Sequence, residues 1–193
     1  NIISVNIISV NIISVNIINI NCISLFIFIV IFKLFEIIII TITMSNSGIK
    51  KLFKERSLIE EDSLDELGIY IKFDDSNIQG VRVMIMGPTD TPYEGCFLFI
   101  HLVFGDNYPF APPKATFMNQ YKNVRFHPNL YSEGKVCLSI LGTWPGPGWT
   151  AMMNIKAIVT SIQSLLSEYP IRQEPSYENI EATNPKCINY NII

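Results

Sequence analysis

The first repeating apolar pattern with helical spacing lies over residues 49–61. Ile49, Leu52 and Phe53 occupy positions i, i+3 and i+4, and the basic residues of the segment occupy other positions. Side chains with this spacing share one face of an α-helix, because the helix turns once every 3.6 residues. The segment is therefore predicted to be an amphipathic helix that packs its apolar face on the core and exposes its cations.

A second helical pattern lies in the last third of the chain. Thr150 is a plausible N-cap, so the helix is predicted to begin near Trp149 and to end before Tyr169–Pro170. Its apolar side chains recur at helical spacing and indicate a buried helix rather than a cofactor site. They are Ile155, Ile158, Val159, Ile162, Leu165 and Leu166.

Four short segments between these helices are rich in β-branched and aromatic residues, which favour strands. A run of turn-forming residues, 87–95, separates the second segment from the third. Consecutive strands joined by short turns form an antiparallel meander. The predicted class is therefore α+β, with a four-stranded sheet flanked by helices. The predicted strands are residues 69–73, 81–86, 97–104 and 114–118.

Residues 1–43 have a different composition from the predicted domain, residues 44–193. A repeated Asn-Ile-Ile-Ser-Val unit leads into an apolar run over residues 20–43, which Lys33 and Glu36 interrupt. Three interpretations are open: a membrane span, a secretory signal, or a low-complexity leader or mis-extended gene model before a true start at Met44. Each charge costs about 2.5–3.5 kcal/mol at a bilayer centre, which opposes the span. Cations that follow the run would place the domain of such a span in the cytosol: Lys50, Lys51, Lys54 and Arg56.

Charge and cysteine content narrow the function classes. The net charge of −3 gives no electrostatic reason to bind nucleic acid. Four scattered cysteines and two histidines lack the spacing of a zinc site, so no metal and no other cofactor is expected. The cysteines do not form a disulfide framework either, and reduced thiols indicate a cytoplasmic or nuclear protein.

Cys137 lies in the segment with the clearest chemical pattern, residues 127–141. It follows a His-Pro-Asn triplet and the turn residue Gly134, and Asn129 precedes it by eight residues. A thiol in such a turn can act as a nucleophile that carries an acyl group as a thioester. The Asn129 amide can stabilise an oxyanion that forms beside it. It can equally fix the turn through hydrogen bonds to the backbone.

This segment resembles the active site of ubiquitin-conjugating enzymes. His-Pro-Asn at 127–129, Gly134 and Cys-Leu-Ser-Ile-Leu at 137–141 match together, and Pro-Tyr-Glu-Gly at 92–95 and the proline-rich run at 108–114 precede them in the family's order. The resemblance covers about residue 49 to about residue 180. Within the family, the stretch after the cysteine is most similar to ubiquitin-conjugating enzyme Z and its relatives.

The resemblance implies the fold and activity of that family. The expected fold is a four-stranded antiparallel meander flanked by helices. Cys137 is then expected to accept ubiquitin, or a ubiquitin-like modifier, from an activating enzyme in an ATP-dependent pathway and to transfer it to substrate amines. The implied partners are the modifier, the activating enzyme and a ubiquitin ligase, and a membrane partner stays open through residues 20–43.

The resemblance also suggests roles for individual residues. His127 is expected to anchor the active-site loop, and Glu174, which precedes a proline, to flank the entrance for the attacking lysine. A solvated loop carboxylate is the alternative for Glu174. Phe110 and Trp149 are candidate ligase contacts. The candidate contacts for the activating enzyme are the cations of the first helix, Lys50, Lys51 and Lys54.

Two departures from the family pattern stand out. Trp149 follows Cys137 by 12 residues rather than about eight, and the usual Ser-Pro after it is replaced by Thr-Ala, which puts ordinary ligase docking in doubt. Only 18 residues follow Pro175, too few for the two C-terminal helices usual in the family, so the fold is expected to be truncated there. The rival functions are a catalytically inactive ubiquitin-binding variant, a cysteine hydrolase and a membrane-anchored carrier.

Overall fold

A computed structural model describes residues 24–38, 47–119 and 125–191 of the chain. The chain divides into two compact units, Asn1–Asn46 and Ser47–Ile193. The repeat at the start of the chain lies outside the described residues, as does the segment around Met44.

The described part of the first unit is one helix, α1, over residues 24–38. Its apolar side chains are exposed all around the helix, including Phe26 and Phe28 at 68% and 67%. Lys33 and Glu36, the two charges that interrupt the run, form an ion pair of 2.8 Å one turn apart. Within the described residues, no helix combines the length and the hydropathy that a membrane crossing requires.

The second unit is built on an antiparallel sheet in the order β1-β2-β3-β4. One row of partners crosses the whole sheet: Ile71, Val83, Ile100 and Phe117. The meander and all four predicted strands are confirmed, although β2 begins four residues earlier than predicted. The strands are β1, Ile69–Asp74; β2, Asn77–Met86; β3, Phe97–Val103; and β4, Lys114–Phe117.

The early start of β2 comes from the tight turn that joins it to β1. The Asp74 carboxylate accepts hydrogen bonds from the backbone N–H of Ser76 at 2.9 Å and from its hydroxyl at 2.6 Å. These bonds fix a turn in which Asp74 pairs directly with Asn77. The hairpin therefore closes at Asn77 rather than at Val81, where the apolar alternation becomes clear.

Helix α2, Ser47–Glu61, confirms the first predicted helix, but its predicted apolar face is only partly right, because Leu52 is buried whereas Phe53 is 41% exposed. Helix α3, Ile155–Leu165, has the predicted apolar stripe, but its predicted start at Trp149 is wrong. Asn154, not Thr150, is the N-cap, because its side chain accepts a hydrogen bond of 2.8 Å from Ala157 N–H. Residues 149–153 form a loop that Lys51 holds through the carbonyls of Ala151 and Met153.

A buried carboxylate joins the helices to the crossing after β3. Glu55 of α2 is 6% exposed and accepts a hydrogen bond of 2.8 Å from the first N–H of α3, at Ile155. It also accepts a hydrogen bond from the hydroxyl of Tyr108. Tyr108 packs edge-on against Phe104, with ring centroids 4.8 Å apart. Glu55 thus satisfies polar groups that the core would otherwise bury without partners.

Short helical segments complete the fold. Three 3-10 turns, Asp65–Leu67, Ser139–Leu141 and Pro170–Gln173, lie before β1, after Cys137 and after α3. A final helix, α4, runs from Pro185 to Tyr190 and buries Cys187. Among the described residues, α4 is the one α-helix that follows α3.

Candidate active site

Cys137 lies on a short hairpin beside β4, where Lys135 pairs with Thr116. Leu130 pairs with Val136 in an isolated antiparallel bridge, and Tyr131 N–H donates to Lys135 O at 3.0 Å. Gly134 turns the chain with a φ of +92°, a conformation that favours glycine over other residues. The hairpin brings the His-Pro-Asn triplet beside the thiol, as the spacing predicts.

His127 is fully buried, with 0% of its surface exposed. Its Nδ1 accepts a hydrogen bond of 2.9 Å from the N–H of Asn129, so the ring proton is on Nε2, which donates to Leu165 O at 2.9 Å. Burial lowers the pKa of His127 to about 4, and the nearby charge of Arg125 adds to that effect. A neutral imidazole with both nitrogens occupied anchors the loop to the end of α3 and has no free lone pair with which to take a proton.

Asn129 is 4% exposed and faces the backbone of Cys137. Its Nδ2 donates to Cys137 O at 2.9 Å, and its own carbonyl accepts from Cys137 N–H at 2.8 Å. Its Oδ1 is buried and has no hydrogen-bond partner among the described residues. The observed geometry is that of a turn anchor, in which the side-chain amide binds the backbone carbonyl of Cys137.

Cys137 is itself buried, at 1% exposure, and is a free thiol, like Cys96 and Cys187. Cys187 is also buried at 1%. Burial therefore does not distinguish these two cysteines. The two cysteines differ in their surroundings. Cys137 lies between the Asn129 turn and an irregular loop, whereas Cys187 is a buried residue of helix α4.

Glu174 reaches the site through Arg125, a residue that the sequence pattern did not single out. The two side chains form an ion pair of 3.0 Å, and both are more than a third exposed. The same guanidinium donates to the carbonyl of Pro128 and stacks 4.2 Å above the ring of Tyr131. Arg125 thus ties the candidate gate carboxylate to the His-Pro-Asn turn.

A cleft of about 470 Å³ opens beside this ion pair. Tyr190 of α4 lines it, and its hydroxyl is buried without a hydrogen-bond partner among the residues described. Burial raises the pKa of Tyr190 to about 12. The other lining residues are Arg125, Ile171, Glu174, Tyr177, Lys186 and Asn189.

Two further residues support the site and were not predicted as part of it. Tyr93, from the Pro-Tyr-Glu-Gly segment, packs its ring 5.8 Å from that of His127 and donates its hydroxyl to Phe126 O at 3.3 Å. Thr143 contacts the backbone on both sides of Cys137 through its hydroxyl. The motif around Cys137 indicated neither contact, because both bring together segments that turns and loops separate.

The candidate partner contacts differ in accessibility. Phe110 is 79% exposed, whereas Trp149 is half-buried and donates its indole N–H to Pro109 O at 2.6 Å. Lys50 and Lys54 are exposed on α2. Lys51 is largely committed to the loop before α3, because its ammonium donates to two carbonyls there and only 23% of its side chain is exposed.

Comparison with known proteins gives a consistent result. A family model described as ubiquitin-conjugating enzyme matches residues 51–187, more than half of the chain. Ubiquitin-conjugating enzyme E2 Z of Xenopus tropicalis is 42% identical over 64% of this chain, and E2 Z of Homo sapiens is 44% identical over 58%. These matches cover only 40% and 32% of the two relatives' own lengths.

A solved structure extends the comparison to three dimensions. Human ubiquitin-conjugating enzyme E2 G1 matches 60% of this chain and 90% of its own, with a TM-score of 0.52 and 31% sequence identity. The similarity agrees with the four-stranded meander and the flanking helices of the second unit.

Proposed function

The chain belongs to the ubiquitin-conjugating enzyme family, and we propose that it carries ubiquitin, or a ubiquitin-like modifier, as a thioester on Cys137. The observation that carries the proposal is the position of the thiol. Asn129 holds both the N–H and the C=O of Cys137, while the His127 ring fixes the turn that contains Asn129. A nucleophile whose backbone is fixed in this way is positioned before its substrate arrives.

The proposed reaction has two acyl-transfer steps. In the first, the Cys137 thiolate attacks the thioester carbonyl at the modifier's C-terminus, and the activating enzyme's cysteine leaves as a thiolate. In the second, a substrate amine attacks the new thioester and loses a proton, and the C–S bond to Cys137 breaks to leave an amide. Each step passes through a tetrahedral oxyanion, which hydrogen-bond donors can stabilise.

Asn129 and Glu174 take different roles in the second step of this proposal. One of the two N–H groups of the Asn129 amide donates to Cys137 O, and in this proposal the other donates to the oxyanion. Glu174 is oriented by Arg125 and lies at the cleft beside the turn. A free lysine has a pKa near 10.4, so an acceptor amine must lose a proton before it attacks. Glu174 is the carboxylate that we assign to orienting that amine.

The candidate partner surfaces are those whose side chains are exposed to solvent. Lys50 and Lys54 on α2 form the candidate surface for the activating enzyme, and Phe110 the main candidate contact for a ligase. Trp149 offers less surface, since its indole is fixed on the crossing. The described cysteines are free thiols, and the cytoplasm, which keeps thiols reduced, is the compartment that we propose.

The geometry does not favour a cysteine hydrolase. Such an enzyme pairs the thiol with a histidine that acts as a base. His127 uses one ring nitrogen for Leu165 O and the other for Asn129 N–H, so it has no nitrogen left for the thiol. An inactive binding variant is not favoured either, because the cysteine is present in its full motif.

A charging assay tests the proposal. The chain is incubated with activating enzyme, ATP and ubiquitin, and the products are separated with and without a reducing agent. An adduct that disappears on reduction and is absent from Cys137→Ala supports a thioester carrier. No adduct with ubiquitin, nor with any ubiquitin-like modifier offered with its activating enzyme, would contradict it.

A further inference from the structure

The hydroxyl of Thr143 bridges the two peptide groups that flank Cys137. Leu138 N–H donates to Oγ1 at 2.9 Å, and Oγ1 lies 2.7 Å from Val136 O. A hydroxyl has one proton and can also accept. Because Oγ1 accepts from Leu138, its proton is directed to Val136 O, the shorter of its two carbonyl contacts; the other, Leu138 O, is 3.2 Å away.

This contact completes a set of four. Asn129 holds the N–H and C=O of Cys137 itself, and Thr143 holds the C=O before it and the N–H after it. All four backbone polar groups around the nucleophile therefore have fixed partners, supplied by two residues on opposite sides of the segment. Rotation about the backbone of Cys137 would break at least one of these bonds, so the direction of its Cα–Cβ bond is defined.

The local chain path explains why Thr143 reaches this position. Leu138 is extended, with φ −148° and ψ 135°, and the 3-10 turn Ser139–Leu141 reverses the chain immediately after it. Gly142 then takes a left-handed φ of +71°, where no Cβ has to be accommodated. The turn brings Thr143 back alongside Val136 and Leu138, and its backbone N–H lies 3.3 Å from Leu138 O.

We propose that Thr143 is a positioning residue for acyl transfer at Cys137. The inference rests on the proposed function and adds to it a residue that does not touch the modifier or the amine. Thr143 acts through the backbone, by holding the thiol in the orientation for attack and the thioester in the orientation for release. Misplacement of a reacting group by about 1 Å can cost roughly 10²-fold in rate. Its loss is therefore expected to lower the rate constant of transfer rather than the affinity for partners.

Substitutions at Thr143 separate this role from a stabilising one. Thr143→Val keeps the shape and removes the hydroxyl, whereas Thr143→Ser keeps the hydroxyl. Thr143 is exposed as a residue, so neither change disturbs the core. Thr91 gives a matched control, since its hydroxyl also donates to a loop carbonyl, Pro88 O at 2.7 Å, and accepts from a backbone N–H, that of Tyr93 at 3.2 Å.

The experiment measures single-turnover discharge of the ubiquitin thioester to free lysine in the full chain, over a range of lysine concentrations. Thr143→Val is expected to lower the saturating rate about 10- to 100-fold, with little change in the concentration for half-saturation. Thr143→Ser and Thr91→Val are expected to discharge within about threefold of wild type. Should Thr143→Val not fold, Thr143→Ala and Thr143→Ser give the same comparison.

A second readout does not depend on activity. Alkylation of the uncharged protein by iodoacetamide, followed residue by residue by mass spectrometry, is expected to be faster at Cys137 in Thr143→Val and unchanged at Cys187. Wild-type rates for Thr143→Val in both assays overturn the inference while leaving the carrier function intact. Equal slowing in Thr143→Val and Thr143→Ser also overturns it, because the hydroxyl is then not the cause. A wild-type chain that forms no adduct overturns both.

Discussion

Asn129 and Cys137 exchange two hydrogen bonds, one from Cys137 N–H to Asn129 O at 2.8 Å and one from Asn129 Nδ2 to Cys137 O at 2.9 Å. The first involves only backbone atoms, with the carbonyl of Asn129 as acceptor, so a change of the Asn129 side chain leaves its donor and its acceptor in place. The second depends on the amide side chain. Substitution of Asn129 therefore tests the side chain without removing the whole contact between the turn and the thiol.

Asn129→Ala is expected to accept ubiquitin from the activating enzyme but to discharge it to lysine about 10²–10³-fold more slowly, as when an oxyanion donor is removed. The two steps are measured separately by single-turnover gel assays. Asn119→Ala is the matched control, because Asn119 also anchors a backbone carbonyl through its amide, that of Phe97 at 2.7 Å, in the loop after β4. Equal losses in charging and discharge, together with a lower melting temperature, would assign Asn129 to the turn alone.

Cys137→Ser is expected to form an oxyester with ubiquitin, because the serine hydroxyl replaces the thiol on the same fixed backbone. An oxyester has no C–S bond, so it is expected to resist reducing agents. Cys96→Ser and Cys187→Ser are expected to retain a reducible thioester, since neither cysteine has the surroundings of Cys137. Non-reducing and reducing gels of the charged proteins give the measurement. If Cys96→Ser lost charging while remaining folded, Cys137 could not be the sole carrier.

Glu174→Gln is expected to slow discharge to lysine by about fivefold to tenfold and to leave charging unchanged, because it removes the carboxylate at the cleft. The ion pair with Arg125 is partly exposed, so its loss should change the free energy of unfolding by less than about 1 kcal/mol. Asp62→Asn, which breaks the exposed pair with Lys156 at 3.2 Å, is the control for a surface ion pair. Identical discharge rates in the two variants would show that Glu174 is a solvated loop residue without a role in discharge.

The stability of the domain is expected to fall as the pH drops from about 6.5 to about 4, because of His127. Burial lowers the pKa of this histidine to about 4 in the folded state, below the ordinary 6.5, so the unfolded chain binds the proton more readily in this window. Protonation then favours unfolding, by up to about 3 kcal/mol once the pH reaches 4.

Denaturant titrations across that window measure this change. His127→Asn is expected to be less stable at neutral pH and to show a flatter dependence on pH. His101→Gln, in the middle of β3, is the control. A slope in His127→Asn as steep as that of wild type would assign the effect to other groups.

A chain that begins at Met44 is expected to fold and to charge like the full chain, since every residue of the candidate site belongs to the second unit. Circular dichroism and the charging assay measure this directly. Fractionation of native extract then tests residues 1–43. A full-length protein that resists alkaline carbonate extraction would establish a membrane anchor and contradict the cytoplasmic proposal.

The sheet could be predicted from the sequence because its strands are rich in β-branched and aromatic residues, as in β3, where Leu98, Ile100 and Leu102 are buried. The start of α3 could not be located in the same way. Thr150 and Asn154 are both good N-caps, and the choice between them depends on Lys51, which holds the loop before Asn154 from a position about a hundred residues away.

The residues of the candidate site divide in the same way, into those that the sequence indicates and those that it does not. Cys137, Asn129 and His127 lie within one short segment, so a local motif was enough to group them. Arg125 and Thr143 donate hydrogen bonds to the backbone carbonyls Pro128 O and Val136 O. Every residue has a backbone carbonyl, so the amino-acid sequence does not indicate which ones are contacted. Residues that hold a backbone can be found only when the path of the chain is known.

The buried carboxylate of Glu55 fastens three segments that lie 53 and 100 residues apart in sequence: α2, the crossing at Tyr108, and the first turn of α3. The exposed lysines of α2 and the exposed ring of Phe110 therefore belong to one rigid body. In the proposed function, an activating enzyme bound at the former and a ligase bound at the latter meet the same body, so neither needs to reshape the domain. In that proposal, the rate at which one partner replaces the other depends on how fast each dissociates, and not on a conformational change of the domain.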